Sequence, residues 1–346
     1  MQMILFALAT LTPAALIGWA AVQGGVWPWL GLGYMTVLAA ALDRFVPRLL
    51  PEAPEGAEFP SGKGLSAVLG LAHLALLAVV VAMAARPGPG LTGTLVTLIA
   101  AGLWFGQVSH PNAHELIHRP ERPARALGRL IYGTLLFGHH ASAHLLVHHA
   151  HVGTAADPNS APRGMGFWRF FGRAWRGSFK AGLAAENALR ARAANPSGRS
   201  SHPYAGYAVT ALLCLGASFL AFGIEGLAAY LFLCLYAQIQ ILLADYVQHY
   251  GLRRALRANG KPEPVGDGHS WNSPHWFSSA MMVNAPRHSD HHLHPGTPYP
   301  GLRLRDGMPV WPHSLPVMAV IALIPPLWRR VMARALNRLP GPAGEG

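Results

Sequence analysis

The sequence has almost no cysteine. Cys214 and Cys234 are the only two in 346 residues, both lie in apolar stretches, and no CxxC pair exists. That excludes a built-in rubredoxin, zinc ribbon or iron–sulfur cluster and leaves the two thiols as small buried hydrophobes. Charge is scarce as well: 12% of residues are Asp, Glu, Lys or Arg, against about 25% in an ordinary soluble domain. No GxGxxG falls between a strand pattern and a helix pattern, which removes the usual cradle for a flavin or nicotinamide. Internal repeats are not evident.

What the chain does have is apolar sequence, 51% of its residues. Runs near the bilayer length of about 20 residues fall at 3–22, 28–43, 65–85, 91–109, 205–222 and 227–247, and none contains Lys or Arg. The first could pass for a signal peptide, but it lacks a basic leader and a second run follows almost at once. The expected fold is therefore all-α: an integral membrane bundle of six transmembrane helices in three hairpins, one domain over 1–338, with a disordered tail at 339–346. The short run 131–138 is expected at the membrane interface. The proline-bearing piece 314–328 is expected to lie peripherally or to pack on protein. The formal net charge is +12, and every Lys and Arg except Arg86 falls in 44–64, 110–204 or 248–346. By the positive-inside rule those segments and both termini face the cytoplasm, which places the chain in the inner membrane and explains the charge without nucleic acid.

The other abundance is histidine, 19 residues. Four clusters fall on the expected cytoplasmic side. HELIH carries His114 and His118, which share one helical face at i and i+4. HLLVHH carries His144, His148 and His149; QHYG carries His249; RHSDHH carries His288, His291 and His292. A lone histidine at an interface is usually a polar tip reaching water, and HELIH alone also fits a zinc-protease helix with Glu115 as general base. Four clusters on one face are better explained as a metal site. Nine neutral rings exceed what one ion takes and suit two ions at four or five each. Imidazole accepts zinc, copper, iron or nickel, so ligand type leaves the metal open. Glu115, Asp157, Asp245 and Asp290 lie beside the clusters, either to accept the free ring N–H of a ligand histidine or as caps and surface groups. His73, inside the third run, and His202, in a loop, are not counted as ligands.

Taken together, HELIHR (114–119), HLLVHHAHVGTAADP (144–158), YVQHYGL (246–252), HSWNS (269–273), RHSDHHLHP (287–295) and IALIPPLWRRVM (321–332) resemble the integral-membrane alkane 1-monooxygenases. These belong to the histidine-box superfamily that includes membrane desaturases and xylene monooxygenase. The likeness runs from about 27 to 332. It implies a non-haem di-iron site held by His114, His118, His144, His148, His149, His249, His288, His291 and His292, with His139, His269, His275 and His294 in supporting or structural roles. It implies O₂ as oxidant, a terminal C–H bond as target, and electrons from a rubredoxin or ferredoxin with its reductase. Two positions depart from the alkane pattern: Ala143 and Gln248 stand where those enzymes usually carry Glu. Both look more like the xylene branch, whereas RHSDHH looks like the alkane branch.

Chemistry points the same way, because zinc has no redox chemistry with which to attack an unactivated C–H bond. The expected substrate is a medium- or long-chain alkane drawn from membrane lipid. The alternatives are an alkyl-aromatic methyl hydroxylase, a fatty-acid or lipid hydroxylase, or a desaturase. A zinc protease would leave most of the histidines idle, and a transporter would place charge nearer the middle of its spans. Trp27, Trp29 and Trp104 are candidate channel residues. Arg119, Arg122, Arg125, Arg129, Arg163, Arg169, Arg173, Arg176 and Lys180 form a basic face suited to an acidic electron carrier.

Overall fold

The structure, a computed structural model, describes residues 2–46, 52, 57, 59–86, 88, 90–192 and 201–339. Among them there is no strand, only two isolated bridges, Leu256 with Pro262 and Asn272 with Val310. Of the tail at 339–346, Leu339 alone lies within the described residues.

Among the described residues, four helices are long and apolar enough to cross a membrane: Gln2–Gln23, Gly62–Ala84, Gly90–Ile117 and Pro203–His249. The first is α1. Next come α2 (Trp27–Gly33) and α3 (Ala39–Phe45), joined through a π turn, Tyr34–Leu38. Then follow α4 (Pro60–Ala84), α5 (Gly90–Trp104), the π turn Phe105–Ser109, and α6 (His110–Ile117). After α7 (Arg122–Thr134), α8 (His139–Ala143), the π turn His144–His148, α9 (His149–His151) and α10 (Phe167–Ala191), the chain enters α11 (Pro203–His249).

At 47 residues, α11 would measure roughly 70 Å if straight, about twice a bilayer core. It is not straight. Gly223 has φ +64 inside it, a backbone region that glycine enters freely. The two halves come back together, since Thr210 lies against Gly133 and the Tyr230 hydroxyl donates to the neighbouring Thr134 carbonyl at 2.8 Å. In a straight helix those two side chains would stand roughly 30 Å apart.

Helix α5 and the π turn that follows it pack against the returning half of α11 through two glycines one turn apart. A Cβ on Gly102 would stand 2.2 Å from the Tyr236 ring, and one on Gly106 2.5 Å from the Gln240 side chain. This is the small-residue contact that lets membrane helices approach closely. Gln240 Nε2 donates to the Gly102 carbonyl at 2.7 Å across the same contact.

The run 131–138 is largely enclosed by protein. Ile131, Tyr132, Leu135 and Phe137 are fully buried, because this segment is wedged between α4 and the two halves of α11. The segment after α11 folds back over the helix ends: Trp271 Nε1 donates to Tyr250 O at 2.9 Å and Trp311 Nε1 to Val247 O at 3.0 Å. Asp43, at the edge of α3, accepts from the backbone N–H groups of Phe277 and Ser278 at 3.1 Å each, fixing the start of α12 (Trp276–Met281). α13 (His288–Leu293), α14 (Leu315–Ala322) and α15 (Pro325–Leu336) complete the chain. The last two pack on protein through Met318, Ala322, Trp328 and Met332, all buried.

Replacing Gly102 by Leu drives a branched side chain into the Tyr236 ring. The expected cost is about 1–3 kcal/mol of stability, read as a fall in thermal midpoint. Gly33→Ala, at a position with nothing within 4 Å, is the matched control and leaves the midpoint unchanged or higher.

Candidate metal centre

The helix ends on one side of the bundle bring the nine cluster histidines together in two groups. The nitrogens of His114, His118, His144, His149 and His291 all lie within 4.8 Å of one another, as do those of His148, His249, His288 and His292. The groups adjoin: the rings of His149 and His292 are 4.6 Å apart, centre to centre.

Backbone geometry decides which ring joins which group. His114 and His118 lie one turn apart on α6 and its C-terminal cap. In the second cluster the backbone is a π turn, so residues five apart face the same way. His144 and His149 therefore meet, Nε2 to Nε2, at 3.0 Å, while His148 is turned into the other group. On α13, His288 and His292 share a face, with Nε2 atoms 3.1 Å apart, and His291 projects into the first group. His249 is the last residue of α11 and its Nε2 lies 3.0 Å from that of His288.

These spacings fit a metal. For bonds of about 2.1 Å from metal to nitrogen, ligands at right angles stand about 3.0 Å apart. The observed Nε2 pairs run from 2.7 Å, for His114 and His144, to 3.2 Å, for His149 and His291. His118 Nε2 and His148 Nε2 are buried with no hydrogen-bond partner, as expected of lone pairs kept for an ion. Burial also keeps rings neutral. It lowers His118 to about 4, with the His148 charge adding to it, and holds His144, His149, His288, His291 and His292 well below the usual imidazole range. Neutral imidazole is the form that ligates.

His148 is the exception. Burial disfavours its charge, but the charge and hydrogen bond of the Asp157 carboxylate, together with the charge of Asp245, outweigh burial, so the ring is raised. His148 Nδ1 lies 2.9 Å from Asp157 Oδ2, an acceptor only, so Nδ1 carries the proton and Nε2 faces the group. Asp157 is itself held by Ser160 Oγ at 2.7 Å and by the Asn159 N–H at 3.0 Å.

Of the four carboxylates expected near the rings, Asp157 alone meets one of the nine. Asp245 Oδ2 accepts from Asn159 Nδ2 at 2.6 Å. Asp290 accepts from Arg305 at 2.7 Å and from the Arg303 N–H at 2.8 Å, and its partner histidine is His294, at 3.0 Å. Glu115 forms a buried ion pair with Arg119 and accepts from the Tyr299 N–H at 3.3 Å. These three instead brace loops, through Asn159, through Arg303 and Arg305, and through Tyr299.

The supporting histidines divide similarly. The His269 carbonyl lies 3.4 Å from His249 Nδ1, and the His269 ring is tied to Glu263 at 3.1 Å. His275 bonds Ser273, and His139 bonds Ser178. Asn272, in the HSWNS stretch, exchanges two hydrogen bonds with Ser289 (2.8 and 2.9 Å) and so fixes α13.

A cavity of about 60 Å³ opens beside His114, His144 and His288, walled by apolar Leu243, Met282 and Leu315 among others. None of the three candidate tryptophans lines it. Trp104 is fully buried and donates to the Thr10 carbonyl at 3.0 Å, Trp27 packs edge-on against Trp19, and Trp29 is exposed. His110 does line it, with Nδ1 3.0 Å from the Tyr132 hydroxyl, and buried His140 lies 5.5 Å, ring to ring, from His144. The spacing of His110, His114 and His118, four residues apart each time, was the signal for the former. His73, idle by sequence, is buried between Ser109 and Thr134, at 2.7 and 2.8 Å.

Residues 88–319 match the family described as fatty acid desaturase. Alkane 1-monooxygenase 2 of Pseudomonas aeruginosa is 31% identical over 314 residues, 88% of this chain and 83% of that protein. Alkane 1-monooxygenase 2 of Alcanivorax borkumensis is 27% identical over 88% of this chain and 82% of its own length. The xylene/toluene monooxygenase hydroxylase component of Pseudomonas putida is 27% identical over 95% and 87%. The chain belongs to the fatty acid desaturase family. Within it, the chain groups with the alkane 1-monooxygenases and is an oxidoreductase.

Asp157→Ala removes the carboxylate that sets the His148 tautomer. Metal affinity, measured by competition with a chelator, should fall about 10- to 100-fold. Asp157→Asn, which still offers an oxygen acceptor, should fall less.

Proposed function

We propose that the chain is a multi-pass membrane di-iron monooxygenase that hydroxylates a terminal methyl group of a medium- or long-chain alkane. The observation that carries this reading is the pair of all-imidazole groups, five rings and four, beside an apolar cavity. Two irons held by those nine histidines would supply the redox chemistry for O₂. The protein's own contribution is positional. Leu243, Met282 and Leu315 exclude water and hold a chain, and His114, His144 and His288 turn their edges to it. Asp157 keeps a proton on His148 Nδ1 and so keeps Nε2 free. One oxygen atom enters the substrate, the other leaves as water, and two electrons come from outside.

Alkyl-aromatic methyl hydroxylation is the second reading. Ala143 and Gln248 favour it, as does the match to the xylene/toluene enzyme. Cells expressing the chain with a rubredoxin system and fed mixed alkanes and alkylbenzenes should yield mainly primary alkanols. Replacing any one of the nine histidines by Ala should lower yield at least a hundredfold, roughly the loss of a metal-holding group, while His202→Ala should not. Benzylic alcohols as the main product would establish the second reading, and desaturated products would overturn both.

A rubredoxin or ferredoxin is the inferred electron donor, since the sequence carries no cysteine motif for one of its own. Not all of the basic face is free to receive it. Arg119 is paired with Glu115, Arg125 donates to the Arg119 carbonyl at 2.8 Å, and Arg173 donates to the carbonyls of Pro158 and Ser160. Arg122, Arg129, Arg169, Arg176 and Lys180 are exposed and remain to steer an acidic partner. Raising salt should raise the apparent KM for the carrier with little change in kcat; turnover indifferent to salt would remove this dock.

Six crossings with cytoplasmic termini are inferred from the reversal at Gly223, the near-continuous helix across 27–45 and the Lys/Arg bias. Reporter fusions at Gly88 and Gly223 should read periplasmic, and a fusion at Gly153 cytoplasmic.

A further inference from the structure

On the cavity wall, Gln107 and Gln240 meet with Gln107 Nε2 3.5 Å from Gln240 Oε1. The orientation of Gln240 is fixed, because its Nε2 donates to the Gly102 carbonyl at 2.7 Å. Its Oε1 therefore faces Gln107, and Gln107 must offer Nε2 in return. That leaves Gln107 Oε1 buried with no donor in reach. Elsewhere on the wall Asp245 Oδ2 takes Asn159, Gln248 Nε2 gives to the Ala285 carbonyl and His110 bonds Tyr132, so that beside Gln107 Oε1 only His288 Nδ1, on a ring of the histidine groups, is buried without a partner. An orphaned acceptor on an apolar spanning helix is costly and marks function by default. An alkane cannot satisfy it, since a C–H bond donates nothing of use.

We propose that the cavity also takes substrates with a neutral hydroxyl at the end remote from the reacting methyl, primary alkanols of medium length, and that Gln107 Oε1 receives their O–H. This deepens the hydroxylase reading above and rests on it. Gln107 precedes His114 by seven residues, a rise of roughly 10 Å along the helix, so the hydroxyl would bind well away from the metal-facing rings while the far methyl reaches them. No Lys or Arg lies in 90–117 to pair with a carboxylate head group. The reaction is the parent one: a terminal C–H becomes C–OH, the second oxygen atom of O₂ leaves as water, and the carrier supplies two electrons with two protons from solvent. The product is an α,ω-diol.

The test compares octane and octan-1-ol with wild type and Gln107→Leu, both as membrane preparations with the electron-transfer partners. Wild type should form octane-1,8-diol from octanol. In the variant, kcat/KM for octanol should fall about tenfold, the worth of one lost hydrogen bond to a buried acceptor, while that for octane should rise because the orphaned amide is gone. Competed binding of radiolabelled octanol to purified protein in nanodiscs should weaken to the same extent, with no turnover required. An equal fall for both substrates would make Gln107 a helix clamp and overturn the proposal. So would octane turnover without diol, which would leave the alkane reading standing. Oxidation of neither substrate by iron-loaded protein would overturn the hydroxylase reading and this proposal with it.

Discussion

Nine imidazole rings must point their bare nitrogens at two places a few ångströms apart, and nearly everything else in the chain is arranged around that demand. Unpaired lone pairs repel and desolvated rings are costly, so the grouping has to be imposed by the scaffold. Four separate helix ends supply it. The scaffold around them is braced by contacts with no chemistry of their own: the glycine approach of α5 to α11, the Asp43 carboxylate at the start of α12, and the Asn272–Ser289 pair behind α13. An ion bound between the rings would repay that cost, which couples metal loading to folding.

The π turns are the second device. Phe105–Ser109 precedes α6, and His144–His148 contains the second cluster. A π turn puts one extra residue into a helix and rotates everything beyond it. On a regular helix His144 would pair with His148; here it pairs with His149, and His148 is released to the second group with Asp157 behind it. The split of one short motif between two groups follows from this local distortion.

Much of this was legible in the residues. The all-helical class follows from apolar runs bare of Lys and Arg, and the nine rings could be named because clusters at helix ends recur in a chain otherwise poor in polar groups. The division of the rings was not legible, because periodicity assumes 3.6 residues per turn and the π turn breaks it. Burial of 131–138 was hidden too: the run is too short to span, and only the reversal at Gly223 creates the wedge that encloses it. Which of the four carboxylates meets a ring stayed open in the sequence, since adjacency along the chain does not set side-chain direction. Asp290 neighbours His291 along the chain yet meets His294, Arg305 and the Arg303 backbone in space. Trp104 looked like a channel residue for its size and is core instead.

The central claim is that the two histidine groups hold two irons together. Elemental analysis combined with Mössbauer spectroscopy of protein purified from iron-supplemented cells tests it most directly. The account predicts about two irons per chain, one for each group, with spectra of nitrogen-ligated non-haem iron and parallel loss of both signals in His148→Ala. A single tightly bound zinc, or one iron unaffected by that substitution, would contradict it.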